Sequence, residues 1–168
     1  MTRGTAKDVA AVIGAAGEVV GRTRLQKTMA ILEIAGVGYG FSYDYYKFGP
    51  YSEELVESAD RAVALGYVSE VEKRAAWGGR YSIFTAHHTA STGNAARDAL
   101  IRLAKGADAI ALELAVTAAF LAHSGSNEAW SEVERRKPEK VASIRKAKDL
   151  YREFVKVDGL PRPLPKIV

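Results

Sequence analysis

The stretch from Gly38 to Ser52 limits the possible folds of this chain more than any other. Six of the eleven residues from Gly38 to Phe48 are aromatic: Tyr39, Phe41, Tyr43, Tyr45, Tyr46 and Phe48. Their alternation at 39, 41, 43 and 45 predicts an extended segment with one aromatic face packed down. Adjacent strand residues face opposite ways, so at least one of Tyr43, Tyr45 and Tyr46 must point away from the others. Gly49-Pro50 then closes a turn, and Ser52 offers a side-chain oxygen to cap a helix beginning at Glu53.

The flanking residues supply the other elements. Thr5-Ala6-Lys7-Asp8 has capping-box spacing, and Val9, Val12, Ile13 and Ala16 follow at helical intervals up to Gly17. Glu18-Val19-Val20 is a short connector or minimal strand. Thr23-Arg24-Leu25-Gln26 has the spacing of a second capping box, with Leu25, Met29 and Leu32 on one face of a helix ending near Gly36. The helix after Ser52 presents Leu55, Ala59, Ala62 and Val63 inward and runs to about Leu65. Residues 67–73 and 80–85 read as paired strands around Ala75-Ala76-Trp77-Gly78-Gly79, where glycine allows the positive φ of a tight turn. Helix, helix, acidic helix and basic-tipped hairpin in this order make a winged helix over residues 5–86.

Beyond a polar joint from His87 to Asn94 the composition shifts to helix formers. Residues 97–105 and 108–123 each predict a helix. The second is apolar nearly all round, as a central buried helix is. Residues 128–136 predict another, with Trp130 and Val133 inward. Pro138 suits the first position of a last helix carrying Val141, Ile144, Tyr151 and Phe154 on one stripe and Lys140, Arg145, Lys148 and Arg152 opposite. The expected fold is mainly α with a small β hairpin: a winged helix packed on a C-terminal helical bundle (94–156), followed by a Pro-rich tail (157–168). The bundle is also the expected site of homodimer contacts.

Composition excludes several functions. Without cysteine there are no disulfides, thiolate metal sites or cysteine nucleophiles. His87, His88 and His123 are not spaced as a ligand set, so no metal, cofactor or catalytic residue is assigned. Glu113, alone among apolar neighbours, is expected to pair with Arg97 or Arg102 or to rim the bundle. The start of the chain lacks a signal-peptide core, and the run from Ala109 to Ala122 is short for a membrane helix, so a cytoplasmic protein is expected. The net charge of +4 is uneven: residues 1–90 carry 10 basic and 10 acidic side chains, so the excess lies in the second half.

Three short motifs carry a family resemblance. Arg22-Thr23-Arg24-Leu25-Gln26-Lys27, then Tyr46-Lys47-Phe48-Gly49-Pro50-Tyr51-Ser52-Glu53-Glu54-Leu55, then Leu65-Gly66-Tyr67-Val68 resemble the YwgA-like family of small bacterial and archaeal proteins. More distantly they resemble the Panacea, or SocA-type, antitoxin domain. The first resemblance implies a winged helix. The second implies a protein that neutralises or delivers a partner by direct contact.

Charge decides between two functional readings. In the place of a recognition helix, Glu53, Glu54, Glu57 and Asp60 stand against one Arg61, and carboxylates facing phosphates repel. About sixteen residues separate this helix from the one before, whereas a helix-turn-helix uses 3–4. The leading reading is therefore a non-enzymatic regulatory module, adaptor or antitoxin-like, that binds a protein through Tyr45, Tyr46, Tyr51, Glu53, Glu54 and Glu57. The alternative is a transcription regulator that contacts double-stranded DNA through a basic wing. Lys73, Arg74, Trp77 and Arg80 would form that wing, joined by Arg22, Arg24 and Lys27.

Overall fold

The computed structural model describes residues 3–47 and 49–167; Phe48 lies outside them. The chain is mainly helical, with two small antiparallel sheets. α1 (Ala6–Ala16) begins at the expected capping box: the Asp8 amide donates to Thr5 Oγ1 while Asp8 Oδ2 accepts from the Thr5 amide. β1 (Glu18–Val20) follows, then α2 (Arg22–Ile34). The expected capping box at Thr23 does not form. The helix starts two residues earlier, behind Gly21 at φ 97°, without a side-chain cap. Gln26 is used elsewhere, as shown below.

Between α2 and the next helix, the aromatic segment is a loop that ends in a small hairpin. β2 (Asp44–Tyr46) pairs antiparallel with β3 (Gly49–Tyr51), placing Tyr45 opposite Pro50 and Tyr46 opposite Gly49. Only residues 44–46 of the segment form a strand. The in–out alternation is nevertheless present, with Phe41 buried, Tyr43 and Tyr45 half-buried, and Ser42, Asp44 and Tyr46 exposed. Two carboxylates hold the loop backbone: Glu33 accepts from the Gly40 amide and Glu54 from the Ser42 amide, each at 2.8 Å.

α3 (Glu53–Ala64) starts on Ser52, whose hydroxyl accepts from the Leu55 amide. Its inner face is Leu55, Ser58, Ala59 and Ala62; Ser58 is buried rather than exposed as its polarity predicts. β4 (Val68–Arg74) and β5 (Arg80–Ala86) pair from Val68↔Ala86 to Arg74↔Arg80, and β1 adds to the other edge of β5. Phe84 on the central strand is fully buried.

The second half is built around α5 (Ala109–His123), which is buried without a break from Ala111 to Ala119. α6 (Ala129–Arg136) and α7 (Ile144–Val155) pack on it together with α2, whereas α4 (Ala95–Gly106) packs on α1 and α2. Pro138 opens a 3₁₀ turn over Pro138–Ser143 instead of the last α-helix, and that turn leaves Val141 exposed. One continuous cluster of buried side chains runs from Val9 and Ile31 through Leu112 and Val116 to Phe154 and Leu164. Each fully buried Leu or Ile in it contributes about 2 kcal/mol. Long side chains tie the halves together by reaching backbone carbonyls. Arg24 donates to those of Ala104 and Ala107 at the end of α4, Lys105 to Ala16 at the end of α1, and Arg97 to Val37. The tail is irregular, as its prolines require. It packs back on the bundle, with Leu164 buried and the Tyr151 hydroxyl donating to the Pro165 carbonyl.

Gly49 is where the two halves approach most closely. It has φ 95°, and a Cβ there would lie 2.2 Å from Thr117 Oγ1 on α5. Gly49→Ala is expected to lower unfolding free energy by about 2–3 kcal/mol, from backbone strain plus overlap. Chemical denaturation checks this, and adding Thr117→Ala should recover the overlap part only.

Candidate functional site: a tyrosine and carboxylate face on a buried lysine cluster

The face centres on the joint between β3 and α3, which two consecutive α2 side chains fix from beneath. Gln26 pairs with the backbone of Ser52 in both directions: its Nε2 donates to the Ser52 carbonyl and its Oε1 accepts from the Ser52 amide, each at 2.9 Å. Lys27, only 2% exposed, donates from Nζ to the Pro50 carbonyl at 2.8 Å. A bidentate amide pair plus a charge-assisted bond leaves this short strand little freedom.

Below the joint lies a group of charges not foreseen as a unit. Glu113 on α5 is 4% exposed and accepts from Lys140 Nζ at 2.5 Å, with Lys137 Nζ 3.7 Å away. Lys137 also donates to the Lys47 carbonyl at 3.0 Å. The partners expected for Glu113 were Arg97 or Arg102. Arg97 instead serves Val37 and stacks 4.2 Å over the Tyr39 ring. Lys140 is accordingly a pairing residue and not part of a solvated basic stripe. Burial pushes the Lys27 ammonium down from 10.5 to about 8; Glu113 opposes this, and Lys137 and Lys140 reinforce it. Burial likewise lowers Lys137.

Above the joint, the six expected partner-binding residues divide into two sets. Tyr46 is exposed and meets Tyr51 edge to face, with ring centroids 5.1 Å apart. Glu53 and Glu57 are exposed beside them, and Glu53 raises the Tyr46 phenol above its ordinary value. Tyr45, on the other side of its strand, turns inward: it packs against Phe120, and Arg136 lies 4.6 Å over its ring. Glu54 is taken up by Arg3 and the Ser42 amide, which hold its carboxyl below the usual range. Four residues, Tyr46, Tyr51, Glu53 and Glu57, therefore form the face.

The basic residues also separate. Arg22 makes a two-point contact with Glu70 at 2.8 Å and a bond to Asp60 at 2.9 Å. Arg24 binds carbonyls, and Lys27 is interior. These three do not continue the wing as one positive surface. At the hairpin, Lys73 and Arg74 are exposed, Arg80 pairs with Glu72 at 3.1 Å, and Trp77 is 79% exposed. The three histidines are exposed, with His87 bonded to the Gly66 carbonyl. Among the described residues no acidic or histidine group is gathered for a metal, and no helix is long and apolar enough to cross a membrane.

The Lys27 environment generates a pH prediction. With the folded pKa lowered, the unfolded chain binds more protons between about pH 8 and 10.5, so stability from this group rises across that window and is lost below it. Urea midpoints should show wild type gaining on Lys27→Met by about 2 kcal/mol between about pH 7 and about pH 9.5. Parallel curves would refute the assignment.

Among known proteins, this chain is similar to the uncharacterised protein YwgA of Bacillus subtilis (strain 168), with 35% identity over 63 residues. No family model and no solved structure matches. The matched stretch is 38% of this chain and spans 38% of the length of that curated relative.

Proposed function

We propose that this chain is a winged-helix regulatory module that acts by contact, binding a basic segment of a partner protein through Tyr46, Tyr51, Glu53 and Glu57. The winged-helix reading is supported by the order of α1, α2 and α3 before the hairpin β4–β5, with β1 zipped onto β5. The observation that carries the functional reading is the pairing of exposed Tyr46 with half-buried Tyr51 beside two exposed carboxylates, on a joint clasped from below by Gln26 and Lys27. Tyrosine anchors concentrate binding energy, and a preformed surface avoids the cost of ordering. Among the described residues Glu53 and Glu57 form no ion pair, which leaves their charge for a cationic partner. The distant resemblance to the Panacea domain fits an adaptor or antitoxin-like role of this kind.

The second reading, double-stranded DNA bound through the wing, is favoured by one observation: exposed Trp77 projects from the turn that follows exposed Lys73 and Arg74. It is weakened by the internal engagement of Arg22, Arg24 and Lys27. The two readings part under charge reversal. Glu53→Lys with Glu57→Lys should cut co-purification of a host protein about ten-fold or more while leaving the fold intact by circular dichroism. If that variant retains its partner while Lys73→Glu with Arg74→Glu abolishes a low-salt mobility shift, the DNA reading replaces the first.

A further inference from the structure

The hairpin tip and the groove between α2 and α3 have complementary chemistry. The tip carries Trp77, the most exposed large apolar side chain described, in the turn that follows Lys73 and Arg74. Its turn is closed by the Ala75 amide donating to the Gly79 carbonyl at 2.7 Å and the Gly78 amide to the Ala75 carbonyl at 2.9 Å. The indole lies directly over Gly79, where any Cβ would overlap the ring. The ring rests over the turn while most of its surface faces water.

The groove holds about 140 Å³ and is lined mainly by apolar surface from Leu25, Tyr51, Leu55, Val56 and Ala59, with Lys27, whose Nζ is bonded to the Pro50 carbonyl, also in its wall. A cavity of that size admits the six-membered ring of an indole. On α3, exposed Glu53 and Glu57 neighbour the groove-lining Leu55 and Val56 along the helix. Arg22 also borders the groove, but Glu70 and Asp60 neutralise its charge. An aromatic ring on a basic hairpin thus has its chemical complement in an apolar groove beside the exposed carboxylates of α3.

The hairpin cannot reach its own groove. Its ladder is regular from Glu70↔Phe84 to Arg74↔Arg80, which carries the tip about 13 Å beyond the Arg22–Glu70 contact beside the groove. Any insertion is in trans. We infer that Trp77, with Lys73 and Arg74, seats in the α2–α3 groove of a second copy of this chain. A twofold arrangement makes the contact twice, tip to groove in each direction, and closes the assembly as a dimer. This places the self-contact at the hairpin and not at the C-terminal helices. It does not depend on the partner reading, although a dimer so formed covers Tyr51 and Glu57 and competes with a protein partner for them.

Sedimentation velocity of the full chain, from low to high micromolar concentration, tests this. Wild type should pass from monomer to dimer and weaken with added salt. Trp77→Ala, which empties the tip, and Val56→Arg, which fills the groove with a like charge, should each raise the dissociation constant about ten-fold or more. Mixing the two variants pairs one intact tip with one intact groove and should give more dimer than either variant alone. A wild type that stays monomeric throughout, a dimer indifferent to either substitution, or a mixture no better than its parts would each overturn the proposal. Failure here leaves the Glu53/Glu57 charge-reversal result standing or falling separately.

Discussion

The structure depends on the clasp that α2 places on the start of α3. Gln26 pairs with the Ser52 backbone as a neighbouring strand would, and Lys27 takes the Pro50 carbonyl. Pro50 has no amide to offer a sheet, so its strand can be satisfied on one side only. Two side chains in succession supply the missing order. Without them the Gly49–Ser52 segment would be a proline-containing loop, and Ser52 would have no fixed position from which to cap α3. The Tyr46–Tyr51 pair stands on the same segment, so the clasp sets both the fold of the first half and the shape of the exposed face.

The clasp brings a charge problem with it. Lys27 is interior, and the same region holds Lys137 and Lys140 around one carboxylate, Glu113. Burying an ammonium is costly unless it is bonded and neutralised. Glu113 lies on α5, Lys137 just beyond the end of α6 and Lys140 in the 3₁₀ turn, so the one carboxylate that favours a charged Lys27 is shared with two other lysines of the second half. Because Lys137 reaches the Lys47 carbonyl, the second half also braces the β2–β3 hairpin from behind. Electrostatic balance in one half of the chain thus requires the other, as does the shared core.

What the sequence disclosed follows from how local each signal was. Thr5 with Asp8, Ser52 with Leu55, and the glycines of the Trp77 turn act within a few residues, and each lies where the pattern places it. The uniformly apolar run of α5 announced a central helix for the same reason. Long-range pairings were hidden. Gln26 matched a capping box because the spacing of such a box is indifferent to what lies 26 residues away. Glu113 was expected to find an arginine, since nothing in its neighbourhood indicated that the turn after Pro138 would swing Lys140 onto it. Arg22, Arg24 and Lys27 read as a basic cluster because their partners (Glu70, the end of α4, and Pro50) are distant in sequence. The joint occurrence of Leu25-Gln26-Lys27 and Gly49-Pro50-Tyr51-Ser52 was the one available hint, and the clasp is its physical reason.

Polarity on the surface follows from those internal commitments. Once Arg22 is held by Glu70 and Asp60, and Arg24 and Lys27 by carbonyls, the α2 side of the molecule has no cation to spare. The exposed face of α3 keeps its carboxylates beside a single Arg61, and Lys73 and Arg74 stand exposed on the hairpin that carries Trp77. Opposite chemistries are thereby placed at two ends of one small unit, about 13 Å apart along the ladder. A surface so divided favours a counterpart that presents the reverse arrangement, and a second copy of the chain does so under twofold symmetry. A phosphate backbone, negative along its whole length, could approach the tip but would meet Glu53 and Glu57 if it ran on toward α3.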